Sequence, residues 1–72
     1  MDAKLKVNFR KVLDGQLRYT SQNLAVNMLL SRLQKKMQSD PGCFDTCVKE
    51  MDDFAEKYPN VVKQDYSKIL SL

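Results

Sequence analysis

The chain has 72 residues, of which 43% are hydrophobic and 29% are charged, and its net charge is +3. This length suffices for one small hydrophobic core, and the composition is typical of a folded domain and not of a disordered segment. No run of about 18 apolar residues occurs, so the sequence excludes a membrane-spanning helix. Residues 1–4 lead into no apolar segment of the kind found in secretion signals, so we expect an intracellular, cytoplasmic domain that comprises residues 1–72.

The segment 3–19 fits two structures. As a helix, it places four apolar residues on one face, namely Leu5, Phe9, Val12 and Leu13. As strands, residues 4–10 alternate between polar and apolar side chains, and Asp14-Gly15 is a strong two-residue hairpin signal. That hairpin needs a bulge near Lys11 to keep its apolar side chains on one face, whereas a helix needs only Gly15 as its C-terminal stop. We therefore favour the helix, with an N-terminal β-hairpin as the alternative.

Residues 24–33 form the most apolar run in the chain, inside a stretch without glycine or proline over residues 21–39. Helical spacing predicts one buried face here, which consists of Val26, Leu29, Leu30, Leu33 and Met37. The hydroxyl of Thr20 or Ser21 can cap this second helix by accepting a hydrogen bond from a backbone N–H of its first turn. We expect it to be the central helix of the domain, with the third helix packed along this face.

Two further apolar residues of the second helix, Leu24 and Met28, lie opposite that face. A helix that is apolar on two sides either packs between two neighbours or exposes an apolar patch. We expect Leu24 and Met28 to pack against the first helix, with a partner-binding surface as the alternative. In the alternative, nearby basic residues join the patch, and the candidate partner-binding residues are Leu24, Met28, Arg32, Lys35 and Lys36.

The tripeptide Asp40-Pro41-Gly42 ends the second helix, since proline disfavours helical geometry in the residue before it. Asp40 and Pro41 also suit the N-cap and the first position of a third helix over residues 41–57. Seven apolar residues within about 120° of arc predict the core face of this helix: Phe44, Cys47, Val48, Met51, Phe54, Ala55 and Tyr58.

Pro59 ends the third helix, and Asn60 can cap a weaker fourth one. Its aligned apolar residues are Val62, Tyr66, Ile69 and Leu70. The predicted fold class is therefore all-α, a small bundle of three to four short helices. The alternative is an N-terminal hairpin followed by two to three helices.

The sequence offers no set of residues typical of catalysis or of a bound cofactor. It has no histidine, and its two glycines form no phosphate-binding loop. Cys43 and Cys47 supply two of the four ligands that structural zinc requires, and no histidine is available to activate either thiol. A disulfide between residues four apart in a helix would be strained, so we expect reduced thiols, with Cys47 in the core and Cys43 half-buried beside it. We expect no enzyme activity, no cofactor and no metal.

Charge is divided unevenly along the chain. Residues 1–38 carry eight basic and two acidic side chains, whereas residues 39–72 carry four basic and seven acidic ones. We expect the two halves to attract each other within the fold, and the alternative is a basic surface for an acidic partner.

A DNA- or RNA-binding regulatory domain is the alternative function. The second helix presents uncharged polar residues of the kind that read base edges: Asn23, Asn27, Ser31, Gln34 and Gln38. However, the connection from Asp14 to Thr20 is long for a helix-turn-helix, and phosphates would repel the acidic third helix. We favour a small non-catalytic module that binds another protein or itself, of the adaptor, regulator or inhibitor type, with no membrane partner.

Overall fold

The computed structural model describes residues 1–72 and contains helices and no strand. The α-helices are α1 (Ala3–Leu13), α2 (Leu24–Ser39), α3 (Phe44–Lys57) and α4 (Pro59–Leu70), and a 3₁₀ turn, Pro41–Cys43, leads into α3. The predicted all-α bundle is confirmed, and the N-terminal segment forms a helix in place of the alternative hairpin. None of the helices combines the length and the hydropathy that crossing a membrane demands.

Local signals at both ends define α1. Asp2 caps the helix with Oδ1, which accepts a hydrogen bond of 2.9 Å from the Leu5 N–H. At the other end Gly15 has a φ of 81°, a conformation that residues with a side chain rarely adopt. The Gly15 N–H donates to the Val12 carbonyl at the helix end. Gly15 therefore ends α1 as predicted.

The start of α2 differs from the prediction. Asn23 caps the helix, since its Oδ1 accepts a hydrogen bond of 3.2 Å from the Val26 N–H. Neither Thr20 nor Ser21 is the cap. Ser21 is buried instead. Its N–H donates to Asn27 Oδ1 at 2.7 Å, and its carbonyl accepts from Asn27 Nδ2 at 2.8 Å. Because the Ser21 hydroxyl also accepts from the Asn23 N–H, this serine orders the loop that precedes the cap.

Prolines begin both of the C-terminal helical segments. Asp40 Oδ1 accepts from the Gly42 N–H at 3.0 Å, and Pro41 opens the 3₁₀ turn that continues into α3. Pro59 occupies the first position of α4, so the prediction that Asn60 caps this helix is wrong. Proline suits the first helical position because its fixed φ matches a helix and its missing N–H would have no partner there.

The four helices enclose 15 buried apolar side chains. Both α1 and α3 pack against α2 and against α4, and the rings of Phe9 and Phe44 meet with centroids 6.2 Å apart. The α2 core face is buried as predicted and consists of Val26, Leu29, Leu30, Leu33 and Met37. Helix α2 contacts α1, the 3₁₀ turn and α3, and α4 contacts α1 and α3, so α2 shares the central position with α4.

Two ion pairs between side chains join the basic N-terminal half of the chain to the acidic C-terminal half. Arg32 Nη2 lies 3.8 Å from Glu50 Oε1, and Lys36 Nζ lies 3.1 Å from Glu50 Oε2. The expected attraction between the halves is therefore present as contacts between α2 and α3. Exposed pairs of this kind contribute at most about 1 kcal/mol, so the apolar core dominates the stability.

Two tyrosines bind carboxylates on neighbouring helices. The Tyr66 hydroxyl of α4 donates to Asp52 of α3 at 2.8 Å, and the Tyr19 hydroxyl in the α1–α2 loop donates to Asp65 of α4. Asp65 is only 4% exposed, so this hydrogen bond satisfies a buried carboxylate. Burial, followed by the hydrogen bond to the carboxylate, raises the pKa of both phenols above the usual value of about 10.

Above about pH 10, the stability of the fold should fall as the pH rises. In this range the unfolded chain releases phenolic protons that the folded protein retains. The stabilisation is therefore complete below the unfolded pKa and is lost as the pH rises towards the raised folded pKa. Urea unfolding at a series of pH values measures the decline, which should be less steep in the Tyr19→Phe, Tyr66→Phe double variant. Equal slopes for the two proteins would contradict this role of the phenols.

Candidate functional site

Leu24 and Met28 lie on the outer side of α2 and are 74% and 66% exposed. The prediction that they pack against α1 is therefore wrong. Helix α1 lies against the other side of α2, where Leu33 is fully buried and Gln34 Nε2 donates to the Val12 carbonyl at 3.2 Å. Because α1 and α3 both cover the α2 core face, the opposite side of α2 faces outward.

The exposed apolar side chains of α2 continue onto α3. Phe54 and Tyr58 belong to the predicted core face of α3, but Phe54 is only half-buried and Tyr58 is 51% exposed. Their rings lie against each other, with centroids 5.0 Å apart. Phe54 also lines a shallow groove together with Ala25 and Met28 of α2. The assignment of Tyr58 to the core is therefore wrong, and the adjacent Pro59 was the available signal that the helix ends there.

Together these residues form what we call the α2–α3 surface: Leu24, Ala25, Met28, Phe54 and Tyr58. The buried side chain of Leu29 lies beneath it and joins it to the core. Charged groups of both signs border it, among them Arg32, Asp53 and Lys57. An apolar centre with a charged edge is the arrangement found in many protein interfaces.

The basic candidate residues occupy two different places. Arg32 and Lys35 line the edge of the α2–α3 surface beside its α2 residues, whereas Lys36 does not line that surface. All three line a second groove that contains Cys43. Arg32 and Lys36 share Glu50 as their ion-pair partner, and Lys35 forms no ion pair. Four of the five candidate partner-binding residues are thus brought together, and Lys36 lies apart.

The two cysteines are placed as expected, with Cys47 fully buried and Cys43 half-buried, and both are free thiols. Their Sγ atoms are 3.7 Å apart, and Cys47 Sγ is 4.0 Å from the Leu33 carbonyl oxygen. Burial first, and then the hydrogen bond with Cys43, raises the pKa of the Cys47 thiol to about 11. No group of three or more histidine, cysteine, aspartate or glutamate side chains is placed to hold a metal ion.

A polar cleft of about 270 Å³ lies between the α1–α2 loop and α4. Its lining includes Ser21 and Asp65, the two buried polar residues of the chain. Ser21 bonds with Asn27, and Asp65 accepts the hydroxyl of Tyr19. The first contact joins the loop to α2 and the second joins it to α4. Sequence periodicity missed the contact with α4, although a carboxylate on the apolar side of that helix was a usable signal.

No protein-family model, curated protein or solved structure matches this chain. A functional assignment therefore depends on the residues of the chain and on their surroundings. Among these, the α2–α3 surface brings together three of the five large apolar side chains that the bundle leaves exposed.

The Leu24→Asp variant should keep the stability of the wild-type protein within about 0.5 kcal/mol, because the side chain is mostly exposed. Its position at the first residue of α2 also favours a negative charge. Leu33→Asp is the matched control and should lose several kcal/mol, since it places a carboxylate in the core. Thermal unfolding followed by circular dichroism measures both. A loss of more than about 2 kcal/mol in Leu24→Asp would show that a neighbour covers this side of α2.

Proposed function

We propose that this protein is a non-catalytic interaction module whose protein partner binds the α2–α3 surface. The observation that carries the proposal is the exposure of Leu24, Met28 and Tyr58, which are 74%, 66% and 51% exposed and lie on one surface. Single exposed apolar residues are common, but a contiguous group with a charged edge marks interaction sites. Adaptor, regulator and inhibitor roles fit such a module, and its location inside the cell is part of the proposal.

The composition of the α2–α3 surface supports this function. Aromatic residues, methionine and arginine are enriched at the centres of protein interfaces, and Met28, Arg32, Phe54 and Tyr58 represent these types. The flexible side chain of Met28 adapts to differently shaped apolar groups. Leu29 anchors the surface to the core, so a partner would meet a largely preformed site and lose little free energy in ordering it.

A helix of the partner suits this surface best. The shallow groove between α2 and α3 has Ala25 and Met28 on one side and Phe54 on the other. An amphipathic helix fills such a groove with apolar residues spaced three and four apart. Lys35 forms no ion pair at its edge and is free to bind an acidic residue that flanks the apolar face of the partner.

The raised pKa of a buried thiol and the hydrogen bonds of two carboxylates support a non-catalytic function. Burial raises the pKa of the Cys47 thiol to about 11, which keeps it protonated at neutral pH. Asp65 and Asp52 accept hydrogen bonds from Tyr19 and Tyr66, so these two carboxylates stabilise the packing of the loop and the helices. A nucleophile paired with a base is the arrangement that catalysis would require, and these groups do not supply it.

The contacts of α2 favour a protein over a nucleic acid as the partner. The side-chain amide of Asn27 bonds with Ser21, and that of Gln34 donates to the backbone, so neither is free to read base edges. Arg32 and Lys36 lie against Glu50, whose carboxylate would repel a phosphate. We therefore retain nucleic-acid binding only as the alternative.

Partner capture should depend on the α2–α3 surface. The immobilised protein is incubated with a lysate of its own organism, and the recovered partner is purified and titrated. Met28→Asp should weaken its binding by about tenfold or more, since it places a charge at the centre of the interface. Val7→Asp is the matched control, because Val7 is 55% exposed on α1, outside the surface, and it should bind as the wild type does.

Equal affinity of Met28→Asp and Val7→Asp for the partner would contradict the proposal. Sedimentation of the purified protein over a range of concentrations shows whether the partner is a second copy of the chain. In that case the same Met28→Asp change should return the protein to monomers, and Val7→Asp should not.

Nucleic-acid binding should be weak and independent of sequence. The basic residues are spread over several elements and can neutralise only a few phosphates, so we expect micromolar or weaker affinity that fades with added salt. Fluorescence anisotropy with duplexes and single strands of different sequence measures this. Sequence-selective binding that survives about 200 mM salt would favour the alternative function.

A further inference from the structure

A second groove shares Lys35 with the edge of the α2–α3 surface, and Cys43 lies in it. Cys43 is half-buried there, and the other charged side chains of the groove are Arg32, Lys35, Lys36 and Asp40. Three cations therefore lie around an accessible thiol, and Asp40 together with Glu50, the ion-pair partner of Arg32 and Lys36, leaves an excess of one positive charge, which Lys35 supplies. A small anionic molecule would be drawn to this groove by a field that added salt weakens.

The second thiol is in contact with the first but closed to solvent. Cys47 has no exposed surface, and its Sγ lies 3.7 Å from Cys43 Sγ, which is van der Waals distance for two sulfur atoms. Cys43 belongs to the 3₁₀ turn and not to α3, and its N–H donates to the Asp40 carbonyl. A movement of about 1.7 Å would bring the sulfur atoms to bonding distance, and Cys43 lies in the turn that precedes the first residue of α3.

We propose that Cys43 is a site of thiol–disulfide exchange with small anionic disulfides and that Cys47 is the thiol that resolves the product. The Cys43 thiolate attacks one sulfur atom of the small disulfide, forms a mixed disulfide and releases the other half as a thiolate. Cys47 then attacks Cys43 Sγ, its proton passes to the departing sulfur, and the second half leaves as a thiol. The protein loses two protons and two electrons, and one small disulfide becomes two thiols.

The order of the two steps follows from access. Cys43 faces the groove, whereas Cys47 lies in the core with a raised pKa, so the first attack belongs to Cys43. Burial is the main cause of that raised pKa, and the Cys43 thiol is the next. Once Cys43 is held in a mixed disulfide its sulfur carries no negative charge, so it no longer opposes ionisation of the Cys47 thiol.

The test uses glutathione disulfide, which is anionic, and follows the folded protein by mass spectrometry. The wild type should lose two hydrogen atoms and keep no adduct. Cys47→Ser should accumulate one glutathione adduct, because nothing resolves it. Cys43→Ser should react at least about tenfold more slowly than the wild type, until urea exposes Cys47. Circular dichroism of each variant shows that the chain is folded.

Charge selectivity separates this site from an ordinary exposed thiol. Cystamine, a cationic disulfide, should react more slowly than glutathione disulfide at low salt, and Lys35→Glu should remove the difference without altering the circular dichroism spectrum. Equal rates for the two disulfides with the wild type, equal rates for the two cysteine variants, or a lasting adduct on the wild type would each overturn the proposal.

Discussion

Burial of one face of α2 by α1 and α3 is the packing interaction on which the rest of the structure depends. Val26 and Leu33 on this face have no exposed surface, and α1 and α3 both pack against α2. The chain then has one helix left, α4, and it closes the bundle against α1 and α3. The outer side of α2 therefore has no neighbour among the 72 residues, although Leu24 and Met28 make it apolar.

Polar contacts with α4 keep this arrangement in a single geometry. Asn8 of α1 donates to the carbonyls of Ile69 and Leu70, which end α4 and have no partner within the helix. Tyr19 and Tyr66 bind carboxylates across the α1–α2 loop, α3 and α4. Small bundles with marginal cores gain specificity from such contacts, because a shifted helix would leave buried polar groups without partners. A rigid bundle in turn presents the α2–α3 surface in a fixed shape.

The helices could be predicted from the sequence because their signals are local. Periodic apolar residues identify the core face of each helix, and Gly15 and Pro41 act at the helix ends where they were expected. The cap of α2 could not be predicted in the same way. Ser21 and Asn23 are both good caps, and the choice depends on Asn27, whose side chain holds Ser21 in the loop.

The candidate site was predicted only in part, because periodicity shows which residues share a face and not which neighbour covers that face. Leu24 and Met28 were recognised as a second apolar side of α2, but the expected cover by α1 required the tertiary arrangement to be known. Tyr58 satisfies the helical spacing of the α3 core face yet lies at the end of the helix. The sulfur contact of Cys43 with Cys47 depends on the 3₁₀ turn, which the spacing of the two cysteines does not reveal.

Methyl NMR of the methionines tests most directly the central claim that the outer side of α2 is uncovered in the monomer. A soluble paramagnetic probe is added at a protein concentration at which sedimentation shows one species of monomer mass. Met28 is 66% exposed, whereas Met37 and Met51 are 4% and 0% exposed and serve as internal controls. The account predicts strong broadening of the Met28 methyl signal and little change in the other two. Protection of Met28 equal to that of Met37 would contradict it.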